Sequence, residues 1–167
     1  MIVRELLSDD LSQVSDAQPD SNPLSEEDAL QEAQILEILF DTARSTVGVL
    51  FDLRTALQLR DGNTGVLVAR NVTSLVWSAK SRRTNRTAWN VTQSLPGRDG
   101  LHFTLEVRMF PDASLTIVAQ QACFFTGTVP GLGEVPPDYY DDDSTIVGKL
   151  AQWESSFLPL QAAFINP

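Results

Sequence analysis

Residues 101–110 read Leu-His-Phe-Thr-Leu-Glu-Val-Arg-Met-Phe, the clearest alternation of apolar and polar side chains in the chain. A strand has a side-chain period of two. Leu101, Phe103, Leu105, Val107 and Met109 therefore share one face, and His102, Thr104, Glu106 and Arg108 the other. Pro111-Asp112-Ala113 follows as a short turn. Ser114–Phe125 then returns with Leu115, Ile117, Ala119, Cys123 and Phe125. The two runs predict a β-hairpin, and with it an antiparallel sheet.

Around this hairpin the pattern changes. Ser25 is a good helix N-cap, and Glu26, Glu27 and Asp28 complement a helix dipole. Ala29, Ala33, Leu36, Phe40 and Ala43 follow at helical spacing, widened by Leu30, Ile35 and Leu39; this predicts an N-terminal helix beginning at Ser25. Val47, Val49, Phe51 and Leu53 then alternate as a strand. Asp61-Gly62-Asn63 marks a turn, a second strand runs from about Gly65 to Ala69, and Val72–Trp77 is its continuation or a third strand. Ser78–Thr87 is a polar, basic loop. Trp89, Val91 and Gln93 start a short strand ending at Pro96-Gly97. Gly127–Pro137 is a Gly/Pro-rich connector to a second helix near Ser144, with Ile146, Leu150, Trp153 and Phe157 on its buried side and Pro159 at its end. The expected fold is α+β: an antiparallel sheet of about five strands flanked by an N-terminal and a C-terminal helix. Residues 1–24 read as an acidic, mobile tail and residues 25–167 as a single domain, of a size that buries about 68–70% of its unfolded surface.

Charge is sorted along the chain. Residues 1–43 carry eleven acids against Arg4, residues 44–133 carry ten bases against five acids, and residues 134–167 carry six acids against Lys149, for a net charge of −10. An acidic total disfavours nucleic acid and anionic membrane surfaces as partners and suits a basic protein. The basic cluster Lys80, Arg82, Arg83, Arg86 and Arg98, flanked by Trp77 and Trp89, has the composition of a single-strand nucleic-acid site. Internal neutralisation by the acidic tail or by Asp141–Asp143 uses it equally well. The N-terminus reaches acids too early for a signal peptide, and no apolar run reaches the ~18 residues of a membrane span. The chain is expected to be cytoplasmic, and its arginine excess hints at a bacterial source.

Candidate chemistry is sparse. His102 is the only histidine. On one strand it stands about 13 Å from Glu106, too far for a direct acid–base pair. Cys123, the only cysteine, excludes an internal disulfide and a multi-cysteine zinc site, and its apolar neighbours predict an inert thiol. Calcium loops space their acids alternately around a glycine, whereas Asp141–Asp143 is contiguous and suits a helix start. No metal, cofactor or catalytic residue is therefore expected.

The leading expectation is a non-catalytic protein-binding module that engages a basic partner through Tyr139, Tyr140, Asp141, Asp142 and Asp143. Tyrosine supplies contact area at low entropic cost, and the acids steer a basic surface. Acidic bacterial immunity or antitoxin-like proteins and secretion chaperones are its specific forms. Two alternatives stand beside it. One is a small-ligand binder or enzyme using His102, Glu106 and Arg108 on the polar face of the 101–110 strand. The other is a structural domain that forms a homodimer.

Overall fold

The computed structural model describes residues 1–8, 17–80 and 86–165. Seven strands form one antiparallel sheet: β1 (Gln34–Asp41), β2 (Thr46–Asp52), β3 (Thr64–Ala79), β4 (Trp89–Asp99), β5 (His102–Phe110), β6 (Ala113–Thr128) and β7 (Leu158–Ile165). Their order is β3-β2-β1-β4-β5-β6-β7, and a further ladder between β3 and β6 closes the first six strands into a ring. The only described helices are a 3-10 helix, Val3–Leu7, and α1, Asp143–Gly148. No described helix is long and apolar enough to cross a membrane.

The α+β expectation with a helix at each end is thus overturned. Instead of an N-terminal helix, residues 23–32 form turns and β1 follows. Asp28 and Glu32 take left-handed backbone angles, φ 57° and 65°, which no continuous right-handed helix allows. Their amides are used elsewhere. The Asp28 N–H donates to the Ser94 carbonyl at 2.8 Å and the Glu32 N–H to the Val91 carbonyl at 2.8 Å. The Asp28 carboxylate accepts the Ser94 N–H at 3.1 Å. Residues 28–33 therefore cover the open edge of β4. At the other end, α1 stops after six residues, and Pro159 lies inside β7 rather than after a helix.

The ring encloses the main core. Val47, Val49 and Phe51 of β2, Phe103, Leu105 and Val107 of β5, and Leu115 and Ile117 of β6 all point into it. The expected hairpin is present as β5–β6, in register from Phe103 opposite Ala119 to Met109 opposite Ala113. β6 then exchanges β5 for β7, pairing Ala122 with Ile165. At the exchange its inward set shifts from Ala119 to Ala122 and Phe124, while Asn71 of the facing strand takes φ 52°.

A second core lies outside the ring. Leu50, Val66, Val68, Cys123 and Phe125 present their side chains outward and are covered by Val3 and Leu6 of the 3-10 helix and by Trp153 and Phe157. Strand β2 is buried at all seven positions, as expected for a strand covered on both faces. The segment expected to be a tail contributes Val3 and Leu6 here, and Leu24 to the main core. Residues 9–16 of that segment lie outside the described residues.

Candidate functional site

Strands β1 and β4 pair only at Gln34–Asn90 and Ile35–Trp89. On the Val91 side, residues 28–33 cover β4. On the other side β1 runs on from Leu36 with no β4 partner, leaving that stretch of the ring wall open among the described residues. The far half of β3 reaches into it. Among the described strands, β3 from Val72 onward pairs only with β6, so its twist brings Leu75 and Trp77 toward β1 and the start of β4. Trp77 meets Trp89 edge to face, with ring centroids 5.5 Å apart and planes at 83°, the geometry that aromatic quadrupoles favour. Beside them lies a depression of about 320 Å³ lined also by Ile35, Leu36, Glu37, Ile38 and Leu75.

Two further depressions adjoin it in turn. The next, about 180 Å³, shares Ile35, Leu36 and Trp89 with it and adds Arg86, Thr87, Tyr139 and Leu150. The last, about 210 Å³, shares Arg86 and Tyr139 and is completed by Tyr140, Asp141, Asp142, Asp143 and Ile146. Through these shared lining residues the three adjoin in a row, called the groove below, apolar and aromatic at the tryptophan end and acidic at the other. It joins two features far apart in sequence: the tryptophans beside the basic segment and the Tyr139–Asp143 run.

The five residues of that run have different duties. Tyr139 turns inward, and its hydroxyl donates to Gln34 Oε1 at 3.4 Å. Burial, and secondarily the charge of Asp52, pushes its phenol up to about 12, so it stays a neutral donor. Tyr140 is 82% exposed. Asp142 is the N-cap of α1: its carboxylate accepts the Thr145 N–H at 2.8 Å, the Thr145 hydroxyl at 2.9 Å and the Ser144 hydroxyl at 3.0 Å. These bonds, the Thr145 hydroxyl first, hold its carboxyl below the ordinary range. Asp143 binds the Arg86 guanidinium, and that bond raises the Arg86 pKa. The basic segment and the acidic run thus neutralise each other in part. Arg82 and Arg83 lie outside the described residues. Asp141 and Tyr140 remain at the rim.

The segment is held in place from below. Arg54 and Asp52 form an ion pair with side chains 3% and 1% exposed. The Arg54 guanidinium also donates to the carbonyls of Gly133 (3.3 Å), Val135 (3.0 Å) and Lys149 (2.8 Å). One buried cation therefore fixes both the connector before Tyr139 and the chain after α1 to the end of β2. The sequence reading missed this residue. Its only local signal was a charge two places after an acid at the end of an apolar strand.

Of the alternative site, the structure brings together Glu106 and Arg108 but not His102. Arg108 donates to Glu106 Oε1 at 3.1 and 3.0 Å. That pair borders a depression of about 430 Å³ with Lys80 and Asp112, while His102 lies at the far end of the strand opposite Asp99. Cys123 is buried in the outer core opposite Phe164 of β7; burial pushes its thiol up, against a smaller opposing effect of Arg70. Among the described residues no group of three His, Cys, Asp or Glu side chains could hold a metal ion.

No family model matches this chain. No curated protein matches it either. Among solved structures, it is similar to one described as the crystal structure of an uncharacterized protein from Neisseria gonorrhoeae, at 12% identity and a TM-score of 0.43, with 56% of this chain and 90% of that chain covered.

Proposed function

We propose that this protein is a non-catalytic binding module that holds a basic protein segment in the groove between the tryptophan pair and Tyr140–Asp141. The observation that supports this reading is that three depressions adjoin through shared lining residues. An apolar aromatic end supplies buried contact area, and an acidic rim at the other end selects positive charge. In its most specific form the partner is a basic toxin or a secreted client met in the bacterial cytoplasm, as the net charge of −10 suggests. The test uses immobilised short peptides of basic, neutral and acidic composition. Basic peptides should be retained, with retention falling as salt is added. The double substitution Tyr140→Ala, Asp141→Asn, at exposed rim positions, should weaken retention about tenfold or more without changing the melting temperature. Equal retention of acidic and basic peptides would remove the reading.

A homodimer is the second reading, and one observation favours it. β7 ends the sheet order and exposes Leu158, Leu160 and Phe164, with no charged residue from Phe157 to Ile165. An uncharged apolar edge is a pairing surface. It is already part-occupied, because the Ala162 N–H donates to the Ala17 carbonyl at 2.8 Å. Sedimentation over a range of concentrations decides: Leu160→Lys should abolish any dimer, and a monomer at all concentrations rejects this reading.

A further inference from the structure

We infer that the tryptophan end of the groove is a pocket for a cationic aliphatic side chain, a lysine of the bound segment. This rests on the proposal that the groove holds a basic protein segment, and it names the residue that anchors it. Three observations converge. First, Trp77 and Trp89 stand at 83° to one another, so indole surfaces of two orientations border the same depression. Indole is the ring that attracts a cation best. Second, the rest of the lining is aliphatic, Ile35, Leu36, Ile38 and Leu75, which matches the methylene stem of lysine. Third, Glu37 is the one charged side chain among the described residues that line this depression, and it is exposed.

These features discriminate between occupants. A purely apolar side chain would cover the aliphatic lining equally well, but it would strip water from Glu37 without returning a partner. An anionic side chain would meet both the Glu37 carboxylate and the negative ring faces. A lysine satisfies all three surfaces at once: stem on the aliphatic lining, ammonium against indole and carboxylate. Arg86, the nearby cation, is bonded to Asp143 and feels the Glu37 charge only as a smaller effect, so Glu37 keeps room for a second cation.

The test follows the three indole N–H resonances. Trp77 and Trp89 line the groove or its edge, whereas Trp153 is buried in the outer core and serves as an internal reference. A Gly-Lys-Gly peptide should shift the Trp77 and Trp89 signals and leave Trp153 unmoved. The isosteric norleucine peptide, which keeps the stem and lacks the charge, should bind about tenfold more weakly. Glu37→Gln should lower lysine binding and ease norleucine binding, so that the difference between the two narrows. Butylammonium should bind more weakly than the lysine peptide; equal binding would reassign the pocket to a free amine and overturn the assignment to a partner chain. Norleucine binding as tight as lysine would make the pocket a simple apolar slot and overturn the inference. Silent Trp77 and Trp89 signals would overturn it too. If longer basic peptides were still retained through Tyr140 and Asp141, only this inference would fail; if they were lost as well, the groove reading would fail with it.

Discussion

Replacing Arg54 with methionine should destabilise the protein by about 3–5 kcal/mol, because one partner of a buried ion pair is removed and the other is left charged. Asp52 is 1% exposed and has no route to water without moving the end of β2. The carbonyls of Gly133, Val135 and Lys149 lose their donor in the same step. Asp52→Asn with Arg54→Met removes both charges, and replacing a whole buried pair is often near neutral. Here it should recover most of the loss, since the carbonyls of Gly133, Val135 and Lys149 lie at exposed positions and can take water in place of the guanidinium. Urea unfolding of the two single variants and the double variant measures this directly. A loss below about 1 kcal/mol for Arg54→Met would show that the connector is held by something else. The local consequence reaches the groove: Tyr139 follows the connector that Arg54 fixes, so its contact with Gln34 should loosen in the same variant.

The features legible in the sequence are those whose cause is local. The β5–β6 hairpin has one face in the core and one toward solvent, so its alternation survives in the sequence. β2 was legible through Val47, Val49 and Phe51. The failures share one physical origin, which is burial on two sides. In β1, Ile35 and Ile38 pack on the inner core while Leu36 and Leu39 pack on the outer one, and a bulge falls between Ile35 and Glu37. A strand apolar on both faces loses its period of two, and here the remainder imitated a helix. The acids after Ser25 reinforced that error. Glu26 in fact reaches back to the Asn22 N–H at 3.1 Å and the Ser21 hydroxyl at 3.0 Å, closing a turn rather than starting a helix. The second helix starts where the aspartate run places it, near Ser144, but ends after six residues at Gly148. Beyond Gly148, Trp153 and Phe157 reach the outer core on turns and extended chain.

The candidate site divides in the same way. Tyr139–Asp143 stood out because exposed aromatics beside acids are unusual locally. That Tyr139 is an anchor and Tyr140 the exposed member depends on Gln34, which is distant in sequence. The pocket beside them had no local sign. Trp77 closes one strand and Trp89 opens the next, and only the β3–β6 ladder, by curling β3 back over the ring, places them against β1. His102, Glu106 and Arg108 show the converse: their shared strand face was legible, but a shared face is not a shared site.

The outer core supplies the second large effect. Trp153→Ala should cost about 3–5 kcal/mol, the usual range for emptying a buried aromatic site. Trp153 is 1% exposed and lies over Gly48, where an added Cβ would sit 2.7 Å from its ring and 2.6 Å from Leu7. The absence of a side chain on β2 at that point is what lets the indole and the 3-10 helix approach the sheet. The two covering segments also hold each other, through the Arg4 N–H to the Trp153 carbonyl at 2.8 Å and the Phe157 N–H to the Met1 carbonyl at 2.8 Å. Loss of the indole should therefore release Val3 and Leu6 as well, and proteolysis should begin near the N-terminus. Trp153→Phe separates volume from polarity. The indole nitrogen has no hydrogen-bond partner among the described residues, so phenylalanine removes a buried, unpaired donor while giving up part of the ring. The two effects oppose each other, and the net change should stay under about 1.5 kcal/mol. Gly48→Val tests the same contact from the sheet side and should cost about 1–3 kcal/mol by overpacking. If chemical denaturation found Trp153→Ala and Gly48→Val both within about 0.5 kcal/mol of the parent, the outer layer would be a loose cover and not part of the cooperative core.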